Sequence, residues 1–222
     1  MRGLSSETRL RLALGLGAFA VAFGLSAARM GHGAPDFYVF WTAARHASAP
    51  YDPAIVTALE ARLHLGGTWP FVYPPTFLLF VAPFALAPLT LAYPLWTGVS
   101  VGLFVLAASH LVRPVWAAAV LAVAPPVFFS AALGQTSLLI GAAAVAAWLW
   151  RDSRPLLAGA LLGAAACIKP QAMLLAPVVF WGRWRMLGAM LAASAALSLA
   201  SVLTFGAERW IEWAKAADAF RA

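Results

Sequence analysis

The amino-acid sequence predicts an all-α fold, a polytopic bundle of membrane helices. Three observations support this prediction: 63% of the 222 residues are hydrophobic, only 10% are charged, and the mean hydropathy is +0.84. Soluble domains carry roughly 25% charged residues. Because a soluble fold of this size cannot hide so much apolar surface, we expect lipid to be the solvent for much of the chain.

The charges of this chain are typical of a membrane protein rather than of a nucleic-acid binder. The formal net charge is +7, and only Lys169 and Lys215 of the fifteen cationic residues are lysines. Most arginines lie in short segments between apolar runs, a pattern that sets membrane topology. We therefore expect membrane lipid, and no nucleic acid, as a partner. Cys167 is the single cysteine, which excludes an intrachain disulfide and a thiolate metal cluster.

The first apolar segment, Leu10–Ala28, is long enough to cross a bilayer of about 30 Å. Its basic start and the small residues near its end also resemble a signal peptide. We favour an uncleaved first helix, because many apolar spans follow and anchor the chain.

The polar stretch Arg29–Pro70 predicts two short amphipathic helices. The first has one apolar face at helical spacing, formed by Phe37, Phe40, Trp41 and Ala44. Asp52-Pro53 predicts the N-cap and the first residue of the second, which Gly66-Gly67 ends. With the proline-punctuated run Phe71–Tyr93, residues 29–94 are expected to form an outer loop with juxtamembrane surface helices.

The later apolar runs predict the other membrane segments of a single transmembrane domain, 1–222, with about six to eight segments in total. These runs are Leu95–Val112, Val115–Leu133, Ser137–Trp150, Leu156–Ile168, Gln171–Trp181 and Met186–Phe205. We favour a run Phe71–Tyr93 that does not cross the membrane, because all the short-loop arginines then share one side with the N-terminus. This topology predicts a cytoplasmic N-terminus in the cell inner (plasma) membrane. If Phe71–Tyr93 crosses, Arg113, Arg151 and Arg154 move to the outer side.

Asp36 is the first candidate for chemistry, because it follows the first span directly. A carboxylate partly desolvated beside Phe37, Tyr38 and Trp41 has a raised pKa and acts better as a general base. The alternative is structural, since aspartate before an amphipathic helix is a common N-cap.

Lys169 and Gln135 interrupt apolar runs on the same predicted outer face. An intramembrane lysine is a functional candidate, and it can bind a phosphate as a point charge. The alternative is a lysine that extends from a helix end to the head groups. Gln135 can bind a sugar hydroxyl or a lipid phosphate, or it belongs to a simple polar turn. No metal-ligand spacing is found among the histidines, and we expect no metal and no cofactor.

These motifs also occur together in one known family. Asp36-Phe37-Tyr38, Tyr51-Asp52-Pro53, Tyr73-Pro74-Pro75, Gly134-Gln135, Ala158-Gly159 and Ile168-Lys169-Pro170 follow in that order. In order and spacing the set resembles glycosyltransferase family 87, the polyprenyl-phosphate-mannose-dependent α-mannosyltransferases of the GT-C class. Family members are usually longer, so the resemblance implies that this chain is an N-terminal part.

The resemblance implies a GT-C membrane bundle, a polyprenyl-phosphate sugar donor and a glycolipid or glycan acceptor at the outer face. It implies that Asp36 is the catalytic base, and that Lys169, Gln135, Tyr73 and Tyr38 bind substrate. The alternatives are a lipid or sugar transporter, which an intramembrane lysine also suits, and a catalytically inactive membrane scaffold.

Overall fold

The computed structural model describes residues 4–28, 35–63 and 69–220, and every regular element in these ranges is helical. The α-helices are α1 (Ser6–Ala28), α2 (Pro35–Arg45), α3 (Pro53–Leu63), α4 (Pro75–Ala85), α5 (Leu89–Ala108), α6 (Ala118–Ala122), α7 (Pro125–Leu133), α8 (Ser137–Trp150), α9 (Pro155–Ile168), α10 (Ala176–Phe180), α11 (Trp184–Phe205) and α12 (Glu208–Ala219). Two 3₁₀ helices, Val115–Ala117 and Pro170–Leu175, precede α6 and α10. The predicted all-α bundle is therefore confirmed.

Three of these helices, α1, α5 and α11, are long and apolar enough to cross a membrane. The segment from Val115 to Leu133 qualifies as a fourth if its two parts, bent by 54°, form one broken span. The helices α8 and α9 are apolar but have only 14 residues each. These described helices are compatible with a polytopic membrane protein, and the count of six to eight membrane segments stays a prediction.

One end of the bundle, called here the arginine end, is defined by Arg11, Arg113 and Arg183. Arg11 donates to Ser109 Oγ over 3.3 Å, and Arg113 pairs with Glu7 at 2.6 Å, so the start of α1 meets the end of α5. Arg183 pairs with Asp152 at 2.9 Å, which joins the start of α11 to the α8–α9 turn. Arg11, Arg113 and Arg183, which are predicted to share one side, lie at one end of the described bundle, while the position of this end relative to a membrane stays a prediction.

The opposite end, called here the Asp36 end, is defined by Asp36, Gly134 and Lys169. The run Phe71–Tyr93 lies at this end, divided between α4 and the start of α5. The Ala85 and Ala87 carbonyls accept hydrogen bonds from Arg45 and Trp41 of α2, so α4 runs along α2.

The boundaries in this region differ from the sequence prediction, which began the next apolar run at Leu95. Helix α5 begins at Leu89, directly after Pro88, and includes Pro94. Pro94 is the sixth residue of α5 and removes the main-chain hydrogen bond to the Thr90 carbonyl. The helix continues through it because Tyr93, Pro94 and Trp96 are buried, and their packing offsets this loss.

The helix α2 is more deeply packed than its single predicted apolar face suggests. Phe37 and Phe40 are buried as expected, but Tyr38, Val39 and Ala43 are buried as well. The Phe40 ring stands edge-on to Phe77 of α4 at 4.9 Å between ring centroids. This aromatic cluster fixes the start of α2 within the bundle.

Close approaches at glycine hold the long helices together. A Cβ at Gly102 of α5 would lie 3.0 Å from the Gly15 carbonyl oxygen of α1. A Cβ at Gly163 of α9 would lie 2.6 Å from the Met190 carbonyl oxygen of α11. Small residues allow membrane helices to approach backbone to backbone, and here they fix the helix that ends at Lys169.

Candidate functional site

Asp36 lies in the first turn of α2, half-buried at the Asp36 end. The helix begins at Pro35, so the interpretation of Asp36 as an N-cap is wrong by its position in the helix. The second predicted cap is confirmed: the Asp52 carboxylate accepts the Ala54 N–H over 2.9 Å at the start of α3. Asp52 therefore caps α3, whereas Asp36 is the second residue of α2. The predicted helix end at Gly66-Gly67 lies outside the described residues.

Three of the sequence-predicted site residues converge, although α2, the α7–α8 turn and the end of α9 are far apart in sequence. The Gln135 side chain lies near enough to the Asp36 carboxylate to lower its pKa as a hydrogen-bonding partner, and Lys169 is close enough to lower it electrostatically. Burial raises the pKa of Asp36 above its ordinary value, while Gln135 and Lys169 pull it back in part. The arrangement is a partly desolvated carboxylate, poised as a base beside an amide and a cation.

The position of Gln135 follows from the glycine before it. Gly134 ends α7 in the left-handed conformation with φ +70°, and a side chain there would overlap Phe37. The Trp96 indole N–H donates to the Gly134 carbonyl over 2.8 Å and holds this turn. The Ser137 hydroxyl bonds Gln135 Oε1 at 3.2 Å, which leaves the amide NH₂ for Asp36.

Lys169 follows the last residue of α9, where the chain changes from α-helix to 3₁₀ helix at Pro170. The Thr76 hydroxyl donates to the Cys167 carbonyl over 2.5 Å, and both residues are buried. This bond satisfies a carbonyl that the end of the helix leaves open. It also ties the start of α4 to the segment that carries Lys169.

Tyr73 lies beside Lys169, as the sequence prediction requires of two substrate-binding residues. The Lys169 ammonium is 5.3 Å from the centroid of the Tyr73 ring. The same ring packs against Phe77 at 4.6 Å and Phe40 at 4.8 Å, which restricts its motion. Tyr38 has a different environment: it is 1% exposed, and its ring meets Tyr93 edge-on at 6.0 Å. A role for Tyr38 in binding substrate stays a prediction.

Sequence reasoning missed three supporting residues of this site. They are Trp96 and Thr76, described above, and Trp213 of α12, whose indole donates to the Val72 carbonyl over 3.0 Å. Each one donates to a main-chain carbonyl, and because every residue has such a carbonyl, the sequence does not reveal which residue is the partner. The signals that the sequence offers are a threonine and a tryptophan within the apolar α4 and α5, and a tryptophan on the amphipathic α12.

No group of three His, Cys, Asp or Glu residues that could hold a metal ion occurs in the described ranges. His46 is described, while His32 and His64 lie outside those ranges.

A comparison with protein-family models decides the family. The model described as glycosyltransferase family 87 matches residues 71–222, more than half of the chain. The chain belongs to glycosyltransferase family 87. Membership confirms the predicted resemblance and makes the protein a glycosyltransferase, an enzyme that acts on a sugar donor and an acceptor. No curated protein matches the chain, and no solved structure does.

The family match and the site overlap only in part. Tyr73, Gly134-Gln135 and Lys169 lie within the matched residues. Asp36 lies before them, and it belongs to the site because Gln135 and Lys169 are near enough to lower the pKa of its carboxyl group. The family 87 match therefore supports a transferase site without assigning a role to Asp36.

Proposed function

We propose that this family 87 enzyme transfers a hexose, mannose in particular, from a polyprenyl-phosphate donor to a hydroxyl of a glycolipid or glycan. The observation that carries the proposal is the convergence of Asp36, Gln135 and Lys169. Glycosyl transfer needs a base for the accepting hydroxyl and a positive charge for the leaving phosphate. These residues supply both groups at one end of an apolar bundle.

Asp36 is the proposed general base. The acceptor hydroxyl attacks the anomeric carbon of the sugar and gives its proton to the Asp36 carboxylate. The bond between the anomeric carbon and the phosphate oxygen breaks, and its electron pair leaves with polyprenyl phosphate. One displacement inverts the anomeric centre. The raised pKa of Asp36 suits this role, since a stronger base takes a proton more readily.

Lys169 and Gln135 are the proposed ligands of the donor head group. Lys169 balances the charge that develops on the phosphate, as placed charges do in other transition states. Gln135 orients the sugar or the phosphate while its amide also touches Asp36. Tyr73 supports Lys169 through the ring contact at 5.3 Å.

A cavity next to the site supports a lipid-linked donor. It has a volume of about 810 Å³ and is lined by Ile168 of α9, by alanines of α5, α8 and α9, and by Arg11 and His110 at the arginine end. Because Ile168 directly precedes Lys169, a chain in this cavity begins beside the proposed phosphate position. Apart from Thr8, Arg11 and His110 at the arginine end, the lining is almost entirely apolar, as an isoprenoid chain requires.

The proposed location of the reaction is the outer face of the cell inner membrane, with the N-terminus in the cytoplasm. The support is the clustering of Arg11, Arg113 and Arg183 at the end opposite Asp36. Arginine in short loops marks the cytoplasmic side of membrane proteins.

Asp36→Asn tests the proposal, because it keeps the size of the side chain and removes the base. We expect transfer of radiolabelled mannose from polyprenyl-phosphate mannose, in membranes with equal expression, to fall by about 100- to 10,000-fold. The matched control is Asp152→Asn, which removes an exposed aspartate at the arginine end, away from the site. Near-full transfer by Asp36→Asn would reject the assignment. Transport of the donor without transfer by the wild type would favour a transporter, and neither activity would favour an inactive scaffold.

A further inference from the structure

A second cavity lies at the Asp36 end and is separate from the proposed donor groove. It is called here the α12 cavity, has a volume of about 780 Å³, and lies between the α2–α3 turn, residues 70–71 and α12. The side chains that concern us are Tyr51, Asp52, Phe71, Arg209, Glu212 and Lys215. Helix α12 is held against this region by the Trp213 bond to Val72.

The charged groups of the α12 cavity are not all satisfied. Arg209 pairs with Glu212 at 2.7 Å, yet its Nε is buried and has no hydrogen-bond partner in the described chain. Buried polar atoms are nearly always hydrogen-bonded, so an orphaned donor in a cavity wall indicates a missing acceptor. Lys215 is exposed, and no ion-pair partner for it occurs among the described residues.

The balance of charge in the lining favours a neutral ligand. Arg209 and Lys215 are matched by Asp52 and Glu212, so the lining carries two charges of each sign. An anionic head group would gain from the two cations but would meet the two carboxylates. A neutral molecule with many hydroxyls can donate to the carboxylates and accept from the cations. The rings of Tyr51 and Phe71 offer faces to the C–H groups of a sugar.

The α12 cavity is connected to the proposed catalytic site through a single residue, Tyr73. The Tyr51 hydroxyl donates to the Tyr73 carbonyl over 2.8 Å. The centroid of the Phe71 ring, in the cavity wall, is 6.0 Å from that of the Tyr73 ring. The Lys169 ammonium is in turn 5.3 Å from the centroid of the Tyr73 ring. Tyr73 thus borders both places, and a ligand of a few linked sugar rings would reach from one to the other.

We propose that the α12 cavity is an acceptor subsite, which binds the neutral sugar units next to the one whose hydroxyl attacks the donor. The proposal rests on the proposed glycosyl transfer and adds to it a preference for an oligosaccharide acceptor over a monosaccharide one. In this arrangement Arg209 and Lys215 donate hydrogen bonds to sugar oxygens, and α12 belongs to the substrate-binding surface.

Kinetics on the full chain in lipid nanodiscs test the proposal. The donor is radiolabelled polyprenyl-phosphate mannose, and the acceptors are octyl mannoside and octyl mannotrioside. We expect the wild type to have the lower KM for the trisaccharide. Lys215→Gln should raise that KM by about tenfold, the loss expected for a hydrogen bond to a charged group. Arg185→Gln, which removes an exposed arginine near the arginine end, is the matched control.

A second variant guards against a folding defect. The pair Arg209→Gln with Glu212→Gln removes both members of the 2.7 Å ion pair, so neither charge is left alone. We expect the same loss of preference for the trisaccharide in this variant.

Direct binding keeps the test independent of transfer. Saturation-transfer NMR with free mannotriose should give signals with the wild type and with Arg185→Gln, and weaker signals with Lys215→Gln. If the wild type transfers mannose but Lys215→Gln keeps the same acceptor preference and the same NMR signals, the subsite is wrong and the proposed function stands. If the wild type transfers nothing while Lys215→Gln loses mannotriose binding, the proposed function is wrong and the sugar site stands. Preferential binding of glycerol phosphate over mannotriose would overturn the assignment to a neutral sugar.

Discussion

Replacing Gly134 with alanine tests the turn that brings Gln135 to Asp36. The same φ of +70° occurs at Gly182, where nothing lies within 4 Å of an added Cβ. At Gly134 the added Cβ would overlap Phe37. The two variants therefore share the left-handed backbone strain and differ in one steric contact.

The expected magnitudes follow from this difference. Alanine in the left-handed conformation costs about 1–2 kcal/mol, which is the whole cost at Gly182. Overpacking against Phe37 adds about 1–3 kcal/mol at Gly134. For a chain of this size 1 kcal/mol corresponds to about 2–4 °C in Tm. We therefore expect Gly134→Ala to unfold about 2–12 °C below Gly182→Ala.

Thermal unfolding in detergent and mannose transfer in membranes measure the two consequences. Because Gly134→Ala displaces Gln135 from the carboxylate, its transfer rate at a permissive temperature should fall by at least about tenfold. Gly182→Ala should keep its rate, since it lies in the turn before α11 at the arginine end. Equal losses of Tm in the two variants would refute the close contact between Gly134 and Phe37.

Three further predictions follow from the same geometry. Because burial raises the pKa of Asp36, kcat/KM should rise with pH, and the midpoint of this rise should lie above pH 3.8. Lys169→Met removes a cation that lowers this pKa, so it should move the midpoint to higher pH. A midpoint at unchanged or lower pH would contradict the electrostatic effect of Lys169 on Asp36. Thr76→Val leaves the buried Cys167 carbonyl of α9 without a hydrogen bond, which costs about 1–3 kcal/mol, and it should raise KM for the donor. Thr76→Ser keeps the hydroxyl and should keep KM close to that of the wild type. Equal kinetics of the two variants would exclude a role of Thr76 in positioning Lys169. Gly163→Ala should cost about 1–3 kcal/mol in unfolding because it meets the backbone of α11, whereas Gly188→Ala, with open space around it, should cost nothing; similar Tm values would argue against that contact.

The sequence was informative about the bundle because a helix that crosses lipid needs about 20 consecutive apolar residues, a pattern that is easy to recognise. Long apolar runs predicted α1, α5 and α11, and their bounds differ from the prediction by several residues at the most. The start of α1 carried a local signal as well: Ser5 is an N-cap residue, and its Oγ accepts the Thr8 N–H over 3.1 Å. The run Gln171–Trp181 was harder, because it folds as a 3₁₀ helix followed by the five-residue α10.

The candidate site was predictable in its members and not in its construction. Gln135 and Lys169 were found because they interrupt apolar runs, Asp36 was found because it follows the first span directly, and the predicted topology placed all three on one face. Their mutual contacts depend on hydrogen bonds from Trp96 and Thr76 to main-chain carbonyls, which any residue carries. The burial of Tyr38 was not predicted either, because the helical spacing of the predicted apolar face of α2 leaves Tyr38 outside that face.

The Trp213–Val72 hydrogen bond has a consequence for how this protein is made. Its two residues are separated by 141 positions, and the Thr76–Cys167 bond spans 91. The ribosome delivers the segment around Val72 long before the helix that completes it. Contacts of such separation form late and slow the acquisition of native structure. The region that holds Asp36 is therefore completed only after the last third of these residues has been synthesised.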